Sequence, residues 1–152
     1  MVTIMIGMPI EMEHVFSCEN VKFKRDFIEQ TTNPPPLIFT DLIEMAPSLE
    51  GVCHDGSTKH VPTNNNELYL LLAGTECKDY FSSLSSSRKG INDNGKSGNT
   101  FWATHTLVKK LKPCIAILEN VAQCPANLME AAFEDIGYTA FVRRGVERIL
   151  SL

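Results

Sequence analysis

Several features that would assign this chain to a common class are missing. Its five cysteines include no Cys-x-x-Cys pair, and their number is odd. That argues against a disulfide framework or a four-cysteine zinc site and fits reduced intracellular thiols better. No apolar run approaches the ~18 residues of a membrane span. The longest, such as Leu68–Ala73, have the length of a strand. The stretch MVTIMIGMPIEME at the amino terminus has no basic region and carries acids early, unlike a signal peptide. Positive charge is not in excess: 14 Lys and Arg stand against 18 Asp and Glu, a net charge of −4. A protein held on nucleic acid mainly by charge is thereby disfavoured, although a local basic patch is not. No internal repeat, low-complexity tract or domain linker interrupts the chain.

What is present is enough for one core. The 152 residues are 43% hydrophobic and 21% charged, a composition that can bury a single domain and does not match wholesale disorder. Short apolar runs alternate with helical patterns. Val2–Ile6 and His14–Cys18 read as strands. Lys22–Gln30 places Phe23, Phe27 and Ile28 at helical spacing, and the run Thr31-Thr32-Asn33-Pro34-Pro35-Pro36 stops it because proline cannot continue a helix. Leu37–Phe39 and Glu67–Ala73 read as buried strands. Residues 82–99, rich in Ser, Gly, Asn and basic side chains, read as a loop. Thr100–Leu111 is expected as a helix, Cys114–Leu118 as a strand, Ala126–Ile136 as a helix ended by Gly137, and Thr139–Val142 as a last strand.

This order predicts an α/β fold with a parallel sheet flanked by helices. In such sheets ligands bind beyond the carboxyl ends of the strands. Glu19, Asp41, Cys77 and Glu119 each follow a predicted strand, so they are candidates for one shared site. A carboxylate after the second strand commonly grips a ribose. A separate group, Cys53, His54, Asp55 and His60, offers metal-ligand chemistry at a spacing with no partner pair, and a surface loop without metal is the default reading. His14 and His105 carry no signal, and Trp102 reads as a core residue.

The residues AGTECKDYFSSLSSSRKG (73–90) followed by LKPCIAILENV (111–121) resemble the DNA cytosine-5 methyltransferases. In that family a strand leads into a Pro-Cys-Gln loop and Phe-Ser. A Ser/Gly/Arg-rich loop and a helix follow, then a strand ending in Glu-Asn-Val. HVFSCEN (14–20) and IFTDLIEM (38–45) are similar to the family's cofactor-binding strands, so the resemblance spans roughly residues 1–142. It implies a Rossmann-like S-adenosylmethionine-dependent fold, present in part, with residues 1–152 as a single partial catalytic domain lacking a target-recognition domain.

The resemblance also implies roles. Cys77 would be the nucleophile that adds to C6 of cytosine and makes C5 enamine-like. Glu119 would bond the base at N3. The base would have to leave the duplex stack to reach them. Glu19 would hold the ribose of S-adenosyl-L-methionine, and Asp41 would lie near its adenine. Arg88, Lys89 and Asn120 would contact the nucleic acid, and Asn120 reads also as a structural hydrogen-bonder rather than a catalyst. No metal is implied.

The sequence departs from the family pattern at the nucleophile loop. Glu76 stands where the family has proline, a negative charge that disfavours the thiolate, and Lys78 stands where it has glutamine. The glycine-rich first motif is not matched, and Arg143, Arg144 and Arg148 do not fall in the register of the family's base-binding arginines. Three functions therefore stand side by side. One is methyl transfer to DNA cytosine. The second is a catalytically inactive methyltransferase-like module that binds a second protein chain. The third is a relative acting on tRNA. None needs a membrane, and an intracellular location follows, nuclear in a eukaryote and cytoplasmic otherwise.

Overall fold

The computed structural model describes residues 12–63, 69–75, 95–121 and 124–142. The expected strand Val2–Ile6 and the loop carrying Cys77, Arg88 and Lys89 lie outside these residues.

Two parallel strand pairs, each joined through a helix, give the fold its direction. β1 (Ser17–Cys18) runs into α1 (Lys22–Glu29) and returns as β2 (Ile38–Phe39), with Ser17 opposite Ile38 and Cys18 opposite Phe39. The ladder extends at both ends, since Ser17 N–H donates to Leu37 O and Glu19 N–H to Phe39 O. Parallel neighbours cannot be joined by a tight turn, and α1 is the crossover this demands. Its end falls where the prolines require. The α1 helix buries no residue, and Phe23 and Phe27 are 70% and 71% exposed.

β5 (Leu70–Gly74) and β6 (Ile115–Glu119) form the second parallel pair, in register from Leu70 opposite Ile115 to Gly74 opposite Glu119. Between them in sequence, α3 (Lys96–Leu111) begins one turn earlier than the apolar spacing predicts, because Gly95 in extended conformation opens it. Its last turn closes on Lys112, at φ 50°, and Pro113 prevents continuation. α4 (Ala126–Glu134) ends two residues short of the expected Ile136. Gly137 follows at φ 92°, a left-handed conformation that glycine adopts without a Cβ penalty, and Tyr138 N–H returns to Phe133 O.

Two short elements were not expected. Cys53, His54, Asp55 and His60, read from sequence as a surface loop, lie in an antiparallel hairpin of β3 (Glu50–Val52) and β4 (Thr58–His60). Its turn is fixed by Asp55, whose carboxylate accepts from both the N–H and the hydroxyl of Ser57, and by Gly56 at φ 82°. The hairpin docks on β2 through a bridge from Phe39 to Cys53. A single turn, α2 (Leu42–Met45), follows β2. Conversely, the expected last strand Thr139–Val142 is not a strand. Phe141 is 87% exposed, Val142 N–H is held by the Glu130 carboxylate, and no edge among the described residues takes up the backbone.

The core packs against one face of β5 and β6. Phe39, Met45, Phe101 and Val108 are fully buried, joined by Leu71, Leu107, Leu111, Met129 and Phe133. Phe101 meets Phe133 edge-on, and His105 packs beside both rings while its Nε2 bonds Ala132 O. Trp102 sits at the rim, 38% exposed and edge-on to Phe101. Alternation along β5 and β6 turns Leu71 and Leu118 toward this core and Leu72, Ile115 and Ile117 away from it. No described helix is long and apolar enough to cross a membrane.

Candidate functional site

The carboxyl ends of the two parallel pairs carry the candidate residues, and each end is built differently. At the end of β1, the chain turns after Glu19 to enter α1. The Glu19 carboxylate accepts from Val21 N–H at 2.9 Å, with Lys24 Nζ 3.7 Å from its other oxygen. At the end of β2, Asp41 is the N-cap of α2, and its carboxylate accepts from Ile43 N–H at 2.7 Å and Glu44 N–H at 3.1 Å. Such a cap satisfies backbone donors that have no partner inside the helix.

The structure brings these two acids together at Cys18. Burial pushes the Cys18 thiol up to about 12, and the negative charges of Asp41 and Glu19 add to the effect, while Arg25 opposes it. A thiol in this position is a packing group rather than a nucleophile. What the cluster can do is present two carboxylates, held by their own turns, to the hydroxyl and amine groups of a nucleoside.

Arg25 is a site residue that sequence reasoning missed. From α1 its Nη1 donates to the carbonyls of Glu19 and Asn20 at 2.9 and 2.8 Å, and its Nε donates to His54 Nδ1 at 3.2 Å. No local pattern signals this, because His54 reaches it from the hairpin turn 29 residues away.

At the other pair, the ends of β5 and β6 meet directly. Thr75 N–H donates to Glu119 O, which continues the ladder by one step. The Asn120 amide donates to the hydroxyl of buried Thr75, and its carbonyl oxygen accepts from Val121 N–H. Asn120, expected to touch nucleic acid, thus has its side chain engaged in tying the two strand exits. The Glu119 carboxylate is exposed and stands over Gly74, one oxygen 3.7 Å from where a Cβ at Gly74 would be. Cys77 comes two residues after Thr75 in sequence, outside the described residues, as do Arg88 and Lys89.

The Cys53, His54, Asp55 and His60 group is divided among other tasks. Cys53 is buried and its thiol is raised, first by burial and then by Asp55. His54 Nε2 faces Asp26 at 3.2 Å and Glu29 at 3.5 Å, and exposed His60 lies 4.0 Å from Glu50. Among the described residues, no three His, Cys, Asp or Glu side chains converge as metal ligands.

Comparison with known proteins bears on the family of the chain. The family model described as C-5 cytosine-specific DNA methylase matches residues 11–141. The chain is 39% identical over 134 residues to the DNA (cytosine-5-)-methyltransferase DMT5 of Cryptococcus neoformans var. grubii. The match covers 88% of this chain and 5% of that protein, so the chain corresponds to a small part of the relative's length. No solved structure matches.

Proposed function

The chain belongs to the C-5 cytosine-specific DNA methylase family, and from that premise we propose that it carries the catalytic centre of an S-adenosylmethionine-dependent DNA cytosine-5 methyltransferase. One observation carries the reading. The β5–β6 register sets Gly74 opposite Glu119, which puts an uncommitted carboxylate at the exit from which the chain proceeds to Cys77.

In this reading the Cys77 thiolate attacks C6 of an extruded cytosine and activates C5. Glu119, exposed and over a residue without a side chain, has room to bond the base at N3 and stabilise the adduct. Thr75 and Asn120 hold the two strand exits in fixed relation, so Glu119 keeps its spacing from Thr75. Glu19 and Asp41 would hold the cofactor's ribose and adenine ends, and the paired carboxylates at strand ends fit those groups. When bound, S-adenosylmethionine supplies the methyl group. Arg88 and Lys89 would contact phosphates. Target reading would come from protein outside residues 1–152, and the compartment would be the nucleus, as suits a chain similar to a fungal DNA methyltransferase.

The test is covalent trapping on duplex DNA containing 5-fluorocytosine, with S-adenosylmethionine added. A denaturation-resistant complex should form and should vanish in Cys77→Ser. A trap that survives the substitution would overturn the assigned nucleophile. Running tRNA in parallel decides the substrate class, and trapping on tRNA alone would move the activity to RNA.

A second reading has its own observation. Leu72, Ile115 and Ile117 leave one face of β5–β6 apolar and about half exposed, at 51%, 51% and 46%, whereas parallel sheets are ordinarily covered on both faces. With Glu76 beside Cys77, this favours an inactive module seated against a further protein chain. Methyl transfer by a strictly monomeric chain in size-exclusion chromatography would refute it.

A further inference from the structure

The Glu19 turn does not hold itself. Glu19 and Asn20 lie between the end of β1 and the start of α1, and their consecutive carbonyls are both taken by Arg25 Nη1, at 2.9 and 2.8 Å. The guanidinium is in turn fixed at Nε by His54 Nδ1, 3.2 Å away. His54 is anchored through its own N–H, which donates to Ile38 O in β2 at 2.7 Å. An Nδ1 that accepts from Arg25 assigns the neutral tautomer with its hydrogen on Nε2. Nε2 itself lies 3.2 Å from Asp26 Oδ1 and 3.5 Å from Glu29 Oε2. The chain of contacts runs from β2 through the hairpin to α1 and back to the exit of β1.

We propose that Arg25 is a positioning residue for the Glu19 carboxylate, with His54 as its orienting partner. This rests on the reading of Glu19 as a cofactor ligand and adds how that ligand is aimed. The geometry demands arginine specifically. One nitrogen spans two carbonyls while a second, in the same plane, meets the imidazole, which a lysine ammonium cannot do with a single point of attachment. The Glu19 carboxylate is aimed by Val21 N–H, within the same turn, so a shift in the turn shifts the carboxylate. Displacements on the order of 1 Å at a ligand are enough to weaken a site markedly.

Two measurements on the full chain test it. The first is titration calorimetry with S-adenosylhomocysteine. Arg25→Ala should weaken binding about tenfold, with thermal unfolding showing the variant folded at the working temperature. His54→Gln, which keeps a donor near Nε2 and loses the acceptor at Nδ1, should weaken it similarly. His54→Asn, whose side-chain oxygen falls near Nδ1, should restore it. The second is amide hydrogen exchange at Val21 without any cofactor. Exchange should quicken in Arg25→Ala and His54→Gln and return to the wild-type rate in His54→Asn. Unchanged exchange and affinity in Arg25→Ala, or identical behaviour of the two His54 variants, would overturn the proposal. If the wild-type chain binds no S-adenosylhomocysteine, the cofactor reading of Glu19 fails, while the exchange rates still decide whether Arg25 and His54 set the turn.

Discussion

The two parallel pairs end in carboxylates that are treated in opposite ways. At the β1–β2 end, Glu19 and Asp41 each accept hydrogen bonds from the backbone of their own turns, and both press on the half-buried Cys18. At the β5–β6 end, the Glu119 carboxylate is exposed and has no hydrogen-bond or ion-pair partner among the described residues. There the fixing is done instead by Asn120 and Thr75 beside it. An acid that must accept a ligand in one pose gains from being held in advance. An acid that must meet a base arriving from outside gains from having its oxygens uncommitted. In the proposed reading, the first end serves binding and the second serves the reaction.

The largest expected effect would separate those two jobs outright. Glu119→Gln should lower trapping on 5-fluorocytosine DNA by about 100-fold or more, the scale of a lost acid–base group, and should leave S-adenosylhomocysteine affinity unchanged. The substitution is nearly isosteric at an exposed position, so folding should not respond. If cofactor affinity falls with trapping, the division between the ends is wrong.

A smaller effect probes the crowding of charge at the first end. The Cys18 thiol is raised from 9.0 to about 12 in the folded chain. Above the ordinary thiol range the unfolded chain loses this proton while the folded chain keeps it. The Cys18 contribution to stability is therefore complete below about pH 9 and is lost as pH rises toward about 12, with a slope of up to about 1.4 kcal/mol per pH unit. Urea unfolding from pH 8 to 10.5 should show stability falling more steeply in the wild type than in Cys18→Ala. Equal slopes would mean that neither burial nor the neighbouring Asp41 and Glu19 raises this thiol. Exposed Cys114, at the start of β6, should react with a thiol reagent in the folded state long before Cys18 does.

How much of this was legible beforehand follows from the range of each interaction. The strands and helices that carry the site were readable because burial writes a local period. Leu70–Gly74, Ile115–Glu119 and Lys22–Glu29 fall within a few residues of their expected bounds. The placement of Glu19, Asp41 and Glu119 at strand ends was readable for the same reason. The β3–β4 hairpin was not, since its strand residues are mostly exposed and polar and leave no alternation to read. Only Asp55-Gly56 marked the turn. The α2 helix is a single turn, too short to show periodicity, although Asp41 three residues before Glu44 is a cap spacing that could have signalled it. Thr139–Val142 failed in the other direction, because an apolar, β-branched run becomes a strand only where an edge is available to pair with it. The task of Arg25 and the partner of Asn120 were not readable, because His54 and Thr75 are distant in sequence and become neighbours only in the folded chain.

The smallest effect is the one that tests the comparison most finely, because Asp41 has two explanations that coincide in the wild type. As the N-cap of α2 it accepts from Ile43 and Glu44, and losing it should cost about 1 kcal/mol of stability. As a cofactor ligand it should matter to S-adenosylhomocysteine affinity as well. Asp41→Ala removes both functions and cannot tell them apart. Asp41→Ser keeps a capping oxygen at the end of β2 and removes the charge. If Asp41 is a ligand, Asp41→Ser should unfold at nearly the wild-type urea concentration yet bind S-adenosylhomocysteine more weakly. If it binds as tightly as the wild type, Asp41 is a helix cap alone. The β1–β2 end then grips the cofactor through Glu19 by itself, one carboxylate at each pair of strands, and the two ends differ only in how that single acid is held.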